Sequence, residues 1–181
     1  MKKLLILLLI IAEESTSFAQ QWWQASSTVS VTVRVLPSLA LTTSSPRFPG
    51  VGQSSIDFGL ATQNDSRTID PNSSNSAVQF TATGAQGVRI HVTYSYTQLM
   101  EQNGGSSAIS WTPNLVGSPS NSQPDARLGR AVHDGDWVTL SGTFPGLDGK
   151  YYFWLGGSLT TGPNQEAGNY VGTFTLTVSY L

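Results

Sequence analysis

The sequence predicts an all-β protein, built as an antiparallel β-sandwich of about eight strands. Apolar and polar residues alternate in several segments, which is the pattern of a strand with one buried face. Serine, threonine and glycine are abundant, whereas the helix-forming residues lysine, glutamate and alanine are not. No segment after residue 19 has a helical period that competes with this pattern.

The first alternating segment is residues 28–35. Four valines share one of its faces: Val29, Val31, Val33 and Val35. Pro37 then interrupts, and Leu39 and Leu41 continue the pattern weakly, which suits an edge strand or a strand that switches sheets. Periodicity does not distinguish pairing within a molecule from pairing between molecules. Residues 28–35 are therefore either the domain's own first strand or a strand donated to a neighbour.

The middle of the chain contains clear and weak patterns. Residues 77–83 and 88–94 alternate and predict two strands, joined by a hairpin turn at residues 84–87. Residues 56–59 predict a shorter strand. From residue 98 to 136 the pattern weakens, with a predicted long loop at residues 116–124 and short strands near Ile109 and Leu128.

Order returns toward the C-terminus. Trp137 begins a short predicted strand, and Asp148-Gly149 is typical of a type I′ hairpin turn. Residues 151–155 are large on both faces, so we expect this strand to be covered on both sides or to lie beside an edge that something else covers. The last strand has a single apolar file: Tyr170, Phe174, Leu176, Val178 and Tyr180. Short strands separated by turns favour an immunoglobulin-like sandwich.

The N-terminus predicts export. Lys2 and Lys3 precede the apolar residues 4–12, and Ser17 and Ala19 fit a cleavage site, so residues 1–19 are expected to be a signal peptide. Residues 20–181 then form a single sandwich domain, of which residues 20–36 are an N-terminal extension, donor strand or first strand. The expected location is the cell surface, a fimbrium or the extracellular medium.

Charge and cysteine content exclude several functions. Only 11% of the residues are charged and the net charge is −2, which excludes an electrostatic nucleic-acid binder. The absence of cysteine excludes disulfide scaffolds, thiolate metal sites and cysteine nucleophiles. No later stretch is apolar enough for a transmembrane segment in the mature chain.

The C-terminal third resembles a family of short secreted bacterial β-sandwich proteins of unassigned function. The resemblance rests on Leu155-Gly156-Gly157-Ser158-Leu159, on residues 164–174 and on the alternating end of the chain. Residues 56–59 and 78–92 resemble earlier segments of that family. The resemblance implies the same sandwich fold and no assigned activity.

The C-terminus is also similar to that of chaperone–usher pilin subunits. Tyr180 is penultimate, and Gly168 is fourteenth counting back from Leu181. The resemblance implies a pilin-like incomplete sandwich that a neighbour's N-terminal strand completes. It also implies partners: the chain itself or related subunits in a homopolymer, a periplasmic chaperone and an outer-membrane usher. The absence of a disulfide and of a glycine in residues 28–35 departs from the pilin pattern.

The sequence thus predicts a non-enzymatic structural subunit of a surface appendage or coat, without cofactor or metal. Its assembly residues are the four valines of residues 28–35 and a C-terminal set: Gly168, Tyr170, Phe174, Leu176, Val178 and Tyr180. The alternative is a monomeric secreted module that binds a glycan or another ligand, with Trp111, Trp137 and Trp154 as stacking candidates.

Isolated polar residues offer little chemistry. His91 is expected to be a solvated histidine on the outward face of a strand. His133, Asp134 and Asp136 are the local cluster of histidine and carboxylates, and a turn is the favoured interpretation because they fall short of a calcium shell. Trp22 and Trp23 follow the cleavage site and suggest a buried or subunit-contacting role.

Overall fold

The computed structural model of the chain describes residues 38–44, 55–73, 75–101, 107–119, 125–142 and 148–180. These residues contain eleven strands, all within the compact unit Leu36–Leu181. The strands are β1 (Ala40–Ser44), β2 (Ser66–Ile69), β3 (Val78–Ala85), β4 (Arg89–Tyr96), β5 (Leu99–Glu101), β6 (Ala108–Pro119), β7 (Arg130–Ala131), β8 (Trp137–Thr139), β9 (Asp148–Thr160), β10 (Tyr170–Val171) and β11 (Phe174–Tyr180). A 3₁₀ helix, Ala126–Leu128, lies between β6 and β7.

The strands form two antiparallel sheets, which confirms the predicted all-β sandwich. The large sheet has the order β1-β3-β9-β6-β5-β10, with β2 paired to β9 and β7 paired to β6. The small sheet has the order β11-β4-β8. The strand number exceeds the predicted eight mainly because the weakly patterned stretch of residues 98–136 contains strands of its own.

The central strand of the large sheet is β9, with thirteen residues. It pairs with β6 along one side and with β3 and then β2 along the other. Its residues 151–155 are almost all buried, which confirms that this strand is covered on both sides. Gly157 lies where β9 changes partner, and its φ of 150° and a Cβ position 2.5 Å from the Thr112 carbonyl oxygen require glycine.

The main core lies between the sheets. The large sheet contributes Phe80, Phe153 and Leu155, and the small sheet contributes Ile90 and Val92. A second cluster of Ile109, Trp111 and Leu159 packs beside Phe58 and Leu99. The alternating files predicted from the sequence therefore do face a common interior.

The predicted hairpin at residues 84–87 is a turn between sheets. Gly87 has a φ of 75°, and the chain reverses there. However, β3 pairs with β1 and β9, whereas β4 pairs with β8 and β11. The two strands thus lie in different sheets, an arrangement that local alternation does not distinguish from a hairpin.

Four other local predictions are wrong. Residues 116–119 belong to β6 rather than to a loop, and Gly117 there packs against the ring of Tyr151. Asp148-Gly149 begins β9 rather than forming a turn. Glycine is needed at position 149 for close packing, since a Cβ there would lie 2.7 Å from the Cα of Gln86. Residues 56–59 form no strand, and Leu128 belongs to the 3₁₀ helix.

Candidate functional site

The C-terminal segment, predicted as one continuous strand, is divided between the two sheets. β10 pairs with β5 in the large sheet, and β11 pairs with β4 in the small sheet. Gly172 lies at the crossing, where a Cβ would come within 3.0 Å of the Thr97 carbonyl oxygen. Gly168 and Tyr170 therefore lie before the crossing, apart from the four apolar residues of β11.

Tyr170 forms a tyrosine corner, the arrangement in which a tyrosine hydroxyl bonds to the backbone just upstream. Its hydroxyl donates to the Glu166 carbonyl oxygen at 2.8 Å and accepts from Nε2 of Gln165 at 2.7 Å. Gly168 leaves room for the side chain of Glu101, whose Cγ would lie 2.7 Å from a Cβ there. Through these contacts, Gly168 and Tyr170 hold in place the segment in which the chain passes from one sheet to the other.

β11 is an edge strand. It pairs with β4 on one side, and no strand of the described residues pairs with it on the other. Edge strands are commonly protected by shortness, charge, proline or a bulge. The edge strands β8 and β10 have three and two residues, whereas β11 has seven, none of them charged, proline or glycine. Among the described residues, β11 therefore lacks each of these protections.

The inward face of β11 is apolar and incompletely covered. Leu176 is buried, but Phe174, Val178 and Tyr180 are half-buried. The ring of Phe174 lies 5.3 Å from that of Tyr94 and contacts the core. The alternate residues of β11, which lie on its outward face, are exposed: Thr175, Thr177 and Ser179.

The opposite border of this region is β1. Among the described residues β1 pairs with β3 alone, and Leu39 and Leu41 are half-buried against the same core as β11. Between β1 and β11 lies a strip of core that we call the edge groove. Its borders are Leu39 and Leu41 on one side and Phe174, Val178 and Tyr180 on the other. Within the described residues, the backbone groups on the outer edge of β11 have no strand partner, and the apolar side chains beside them are partly exposed.

One end of the edge groove is closed by Tyr180. Its hydroxyl oxygen accepts a hydrogen bond from the Ala85 backbone N–H at 2.7 Å, which connects the two sheets. A Cβ on Gly84 would fall on this oxygen and would lie 3.1 Å from Cδ1 of Leu39. Since Leu39 precedes β1 and Tyr180 ends β11, the two edge strands run antiparallel.

The sequence predicted the apolar file of β11 but not its partners. Gly84 and Ala85 were assigned to a turn, and nothing in their local pattern indicates a contact with a tyrosine 95 residues away. The predicted N-terminal assembly residues, Val29, Val31, Val33 and Val35, lie outside the described residues, as do Trp22 and Trp23.

Comparison with protein families gives one decisive match. The model of a domain of unknown function, DUF4402, matches residues 50–180. The chain belongs to the DUF4402 family. This confirms the predicted membership of a family of unassigned function, while the similarity to chaperone–usher pilins stays a prediction. A search of the curated proteins finds no match.

The match covers β2 to β11 of the DUF4402 domain and leaves β1 before it. Both β11 and the Gly84–Ala85 contact of the edge groove therefore belong to the family region. In the part of the chain that the structure describes, no helix has the length and hydrophobicity needed to span a membrane.

The cluster of His133, Asp134 and Asp136 in the DUF4402 domain is a turn against β4. The Asp134 carboxylate accepts from the Tyr94 backbone N–H at 2.8 Å, and that of Asp136 accepts from the His133 backbone N–H at 2.7 Å. Nowhere in the described ranges do three His, Cys, Asp or Glu side chains converge as metal ligands. The carboxylates thus stabilise the turn itself.

The tryptophans separate by exposure. Trp111 is 5% exposed and Trp154 is 2% exposed, so neither ring is an open stacking platform on the protein surface. Trp137 is 36% exposed, and His91 is stacked on it at 4.6 Å between ring centroids. His91 is therefore packed across the strand pair rather than simply solvated.

Proposed function

We propose that this DUF4402 protein is a non-enzymatic structural subunit of a bacterial surface appendage or coat, assembled by β-strand exchange. One molecule would insert residues 28–35 into the edge groove of the next. The observation that carries the proposal is the unprotected edge of β11 beside half-buried apolar side chains. Without a further strand, such an edge promotes uncontrolled association.

The donor pattern matches the strand it would join. Residues 28–35 alternate valine with polar residues, as β11 alternates apolar residues with threonine and serine. Added beside β11, the donor continues the apolar face inward and the polar face outward. Burial of each valine would contribute roughly 1.5–3 kcal/mol before entropy costs.

Chain direction favours a donor from another molecule. β1 begins at the end of the groove where β11 finishes. A segment that precedes Ser38 and pairs with β11 of its own chain would have to run parallel to β11. A donor from a second copy is free to run antiparallel, and antiparallel pairing is the more stable arrangement.

Export is part of the same proposal. The leader of residues 1–19 would deliver the chain outside the cytoplasm, and the subunit would act at the cell surface or in a fimbrium. An acceptor with an open edge needs protection before assembly. A periplasmic chaperone and an outer-membrane usher are the partners that this need and the pilin resemblance suggest.

The proposal is tested by changing one face of the donor. In the protein from Gln20 onward, Val31→Asp places a carboxylate in the apolar groove, so we expect polymers to give way to monomers in light scattering. Thr32→Asp is the matched control, because Thr32 lies on the opposite face and its polymers should persist. Polymers that survive Val31→Asp would refute the donor assignment, and a wild-type chain that stays monomeric when concentrated would favour the monomeric binding module.

A further inference from the structure

A cleft on the outer face of the large sheet is separate from the edge groove. It has a volume of about 200 Å³. Its floor is Trp154 of β9, and its walls are a loop and the 3₁₀ helix. The lining residues are Asn72, Ser73, Asn75, Asp125, Ala126, Arg127 and Trp154.

The floor is fixed by the sheet. Trp154 is the cross-strand neighbour of Gln79 on β3 and of Val116 on β6, and both are buried. Tyr152, two residues before it in β9, lies 6.2 Å away between ring centroids. The tryptophan therefore keeps one position whether or not the cleft is filled.

The first wall is a loop whose start is held by the Asp70 side chain and by Pro71. The Asp70 carboxylate accepts from the Asn72 backbone N–H at 3.0 Å and from the Ser73 hydroxyl at 2.8 Å. Pro71 is fully buried and lies over Gly156, where a Cβ would be 2.9 Å from Cδ of the proline. The loop that carries Asn72 is thus held against β9.

The second wall is the 3₁₀ helix. Asp125 caps it by accepting from the Arg127 backbone N–H at 2.9 Å, and the Gly129 N–H donates to the Ala126 carbonyl at 2.9 Å. Gly129 lies close to Val116, where a Cβ would be 2.9 Å from Cγ2 of the valine. Both walls are therefore ordered without a ligand, and pre-organised sites lose less entropy on binding.

The polar groups of the cleft have unused hydrogen-bonding capacity. The side-chain oxygen of Asn72 is buried and has no hydrogen-bond partner, which is uncommon and costly. The ion pairs among the described residues are Arg67–Asp65 and His133–Asp136, so Arg127 belongs to neither. Asn72 and Arg127 belong to opposite walls, so hydrogen-bonding side chains from both walls border one small volume.

We propose that this cleft binds a neutral, polyhydroxylated ring, such as a single monosaccharide unit. The charges of Asp125 and Arg127 balance, so neither an anion nor a cation is favoured. A sugar hydroxyl both donates and accepts, as do the serine and asparagine groups that line the cleft. The volume is below the roughly 300–1,000 Å³ of sites for drug-sized ligands, which suits one ring. This inference does not depend on strand exchange.

Saturation-transfer NMR on the protein from Gln20 onward tests it, with methyl glycosides of glucose, galactose, mannose and N-acetylglucosamine as probes. For a single ring we expect binding of at least one probe with a Kd of about 1 mM. Asn72→Ala and Arg127→Ala should each weaken it about tenfold, since each removes hydrogen bonds to the ring. The backbone bond from Asn72 to Asp70 remains in Asn72→Ala, and unchanged thermal melting would verify the fold.

Arg67→Ala is the matched control, because Arg67 is an exposed arginine outside the cleft that pairs with Asp65 at 2.8 Å. Its affinity for the same probe should equal that of the wild type. The inference is overturned if none of the four probes binds, or if binding is unchanged in both cleft variants. Preference for glucuronate over the neutral glycosides would likewise overturn the assignment of a neutral ligand.

Discussion

Tyr180 shows how one atom can hold an edge strand in place. Its hydroxyl oxygen is the acceptor for the N–H of Ala85, which is 6% exposed, so the phenol joins the C-terminal strand to the opposite sheet. The ring also covers the end of the core beside Leu39. The penultimate aromatic residue, predicted as part of an assembly strand, thus has a contact within its own domain.

Tyr180→Phe removes this acceptor and leaves a buried donor without a partner. We expect the free energy of unfolding to fall by about 1–3 kcal/mol, measured by urea denaturation. Tyr96→Phe is the control, because Tyr96 is 44% exposed, and we expect a change within about 0.5 kcal/mol. Equal effects of the two variants would show that the Ala85 contact adds no stability.

At the scale of elements, the turn after β2 depends on an ionised carboxylate. The hydrogen bonds from the Asn72 backbone N–H and the Ser73 hydroxyl lower the pKa of Asp70 below its ordinary value. A group with a lowered pKa stabilises the folded state above its unfolded pKa, about 3.9 for aspartate, and loses that contribution as the pH falls through its folded pKa.

The variant Asp70→Asn should therefore lower the melting temperature near neutral pH. The difference from the wild type should shrink as the pH falls below the unfolded pKa of about 3.9, because the wild-type carboxyl then becomes protonated in the folded state as well. Thermal melts monitored by circular dichroism above and below that pKa provide the measurement. A difference that stays constant with pH would mean that the carboxylate charge is not what stabilises the turn.

The sequence predicts those strands that have one apolar and one polar face, and it misses those that do not. β3, β4 and β11 alternate cleanly and were predicted close to their observed positions. Residues 116–119 were missed because their partners, not their propensities, make them a strand: they pair with β9 from Trp154 back to Tyr151. Asp148-Gly149 was misassigned because its glycine serves close packing against Gln86 rather than a turn.

At the scale of the whole molecule, pairing between strands was the information that local patterns lacked. β3 and β4 are neighbours in sequence yet lie in different sheets, and β9 joins segments from both halves of the chain. The edge groove follows from these long-range pairings. Its apolar file on β11 is predictable from alternation, whereas the position of β11 at the edge of the described small sheet follows only from the sheet order.

The cleft at Trp154 was not predicted for the same reason. Its walls come from residues 72–75 and 125–127, which are far apart in sequence and individually typical of polar turns. The sequence offers Trp154 as a stacking candidate, but the sheet buries most of its ring. Convergence of these segments is a property of the fold rather than of any motif.

Strand exchange between molecules is the central claim, and disulfide trapping tests it most directly because the chain has no cysteine. Chains with Thr32→Cys would be mixed with chains carrying Thr177→Cys on the outward face of β11. Strands that pair lie about 4.8 Å apart, within the range that a disulfide spans. The pairing register between donor and β11 is measured with further cysteine positions. These are Ser30→Cys and Arg34→Cys in the donor and Thr175→Cys and Ser179→Cys in β11.

We expect disulfides between different chains, detected by mass spectrometry of the oxidised mixture. Because the donor is proposed to be antiparallel, the position that reacts should move toward residue 30 as the β11 cysteine moves from 175 to 179. A single chain that carries both Thr32→Cys and Thr177→Cys provides the opposite test. If disulfides form only within that chain and none form between different chains, the account is contradicted, since residues 28–35 would then complete their own domain.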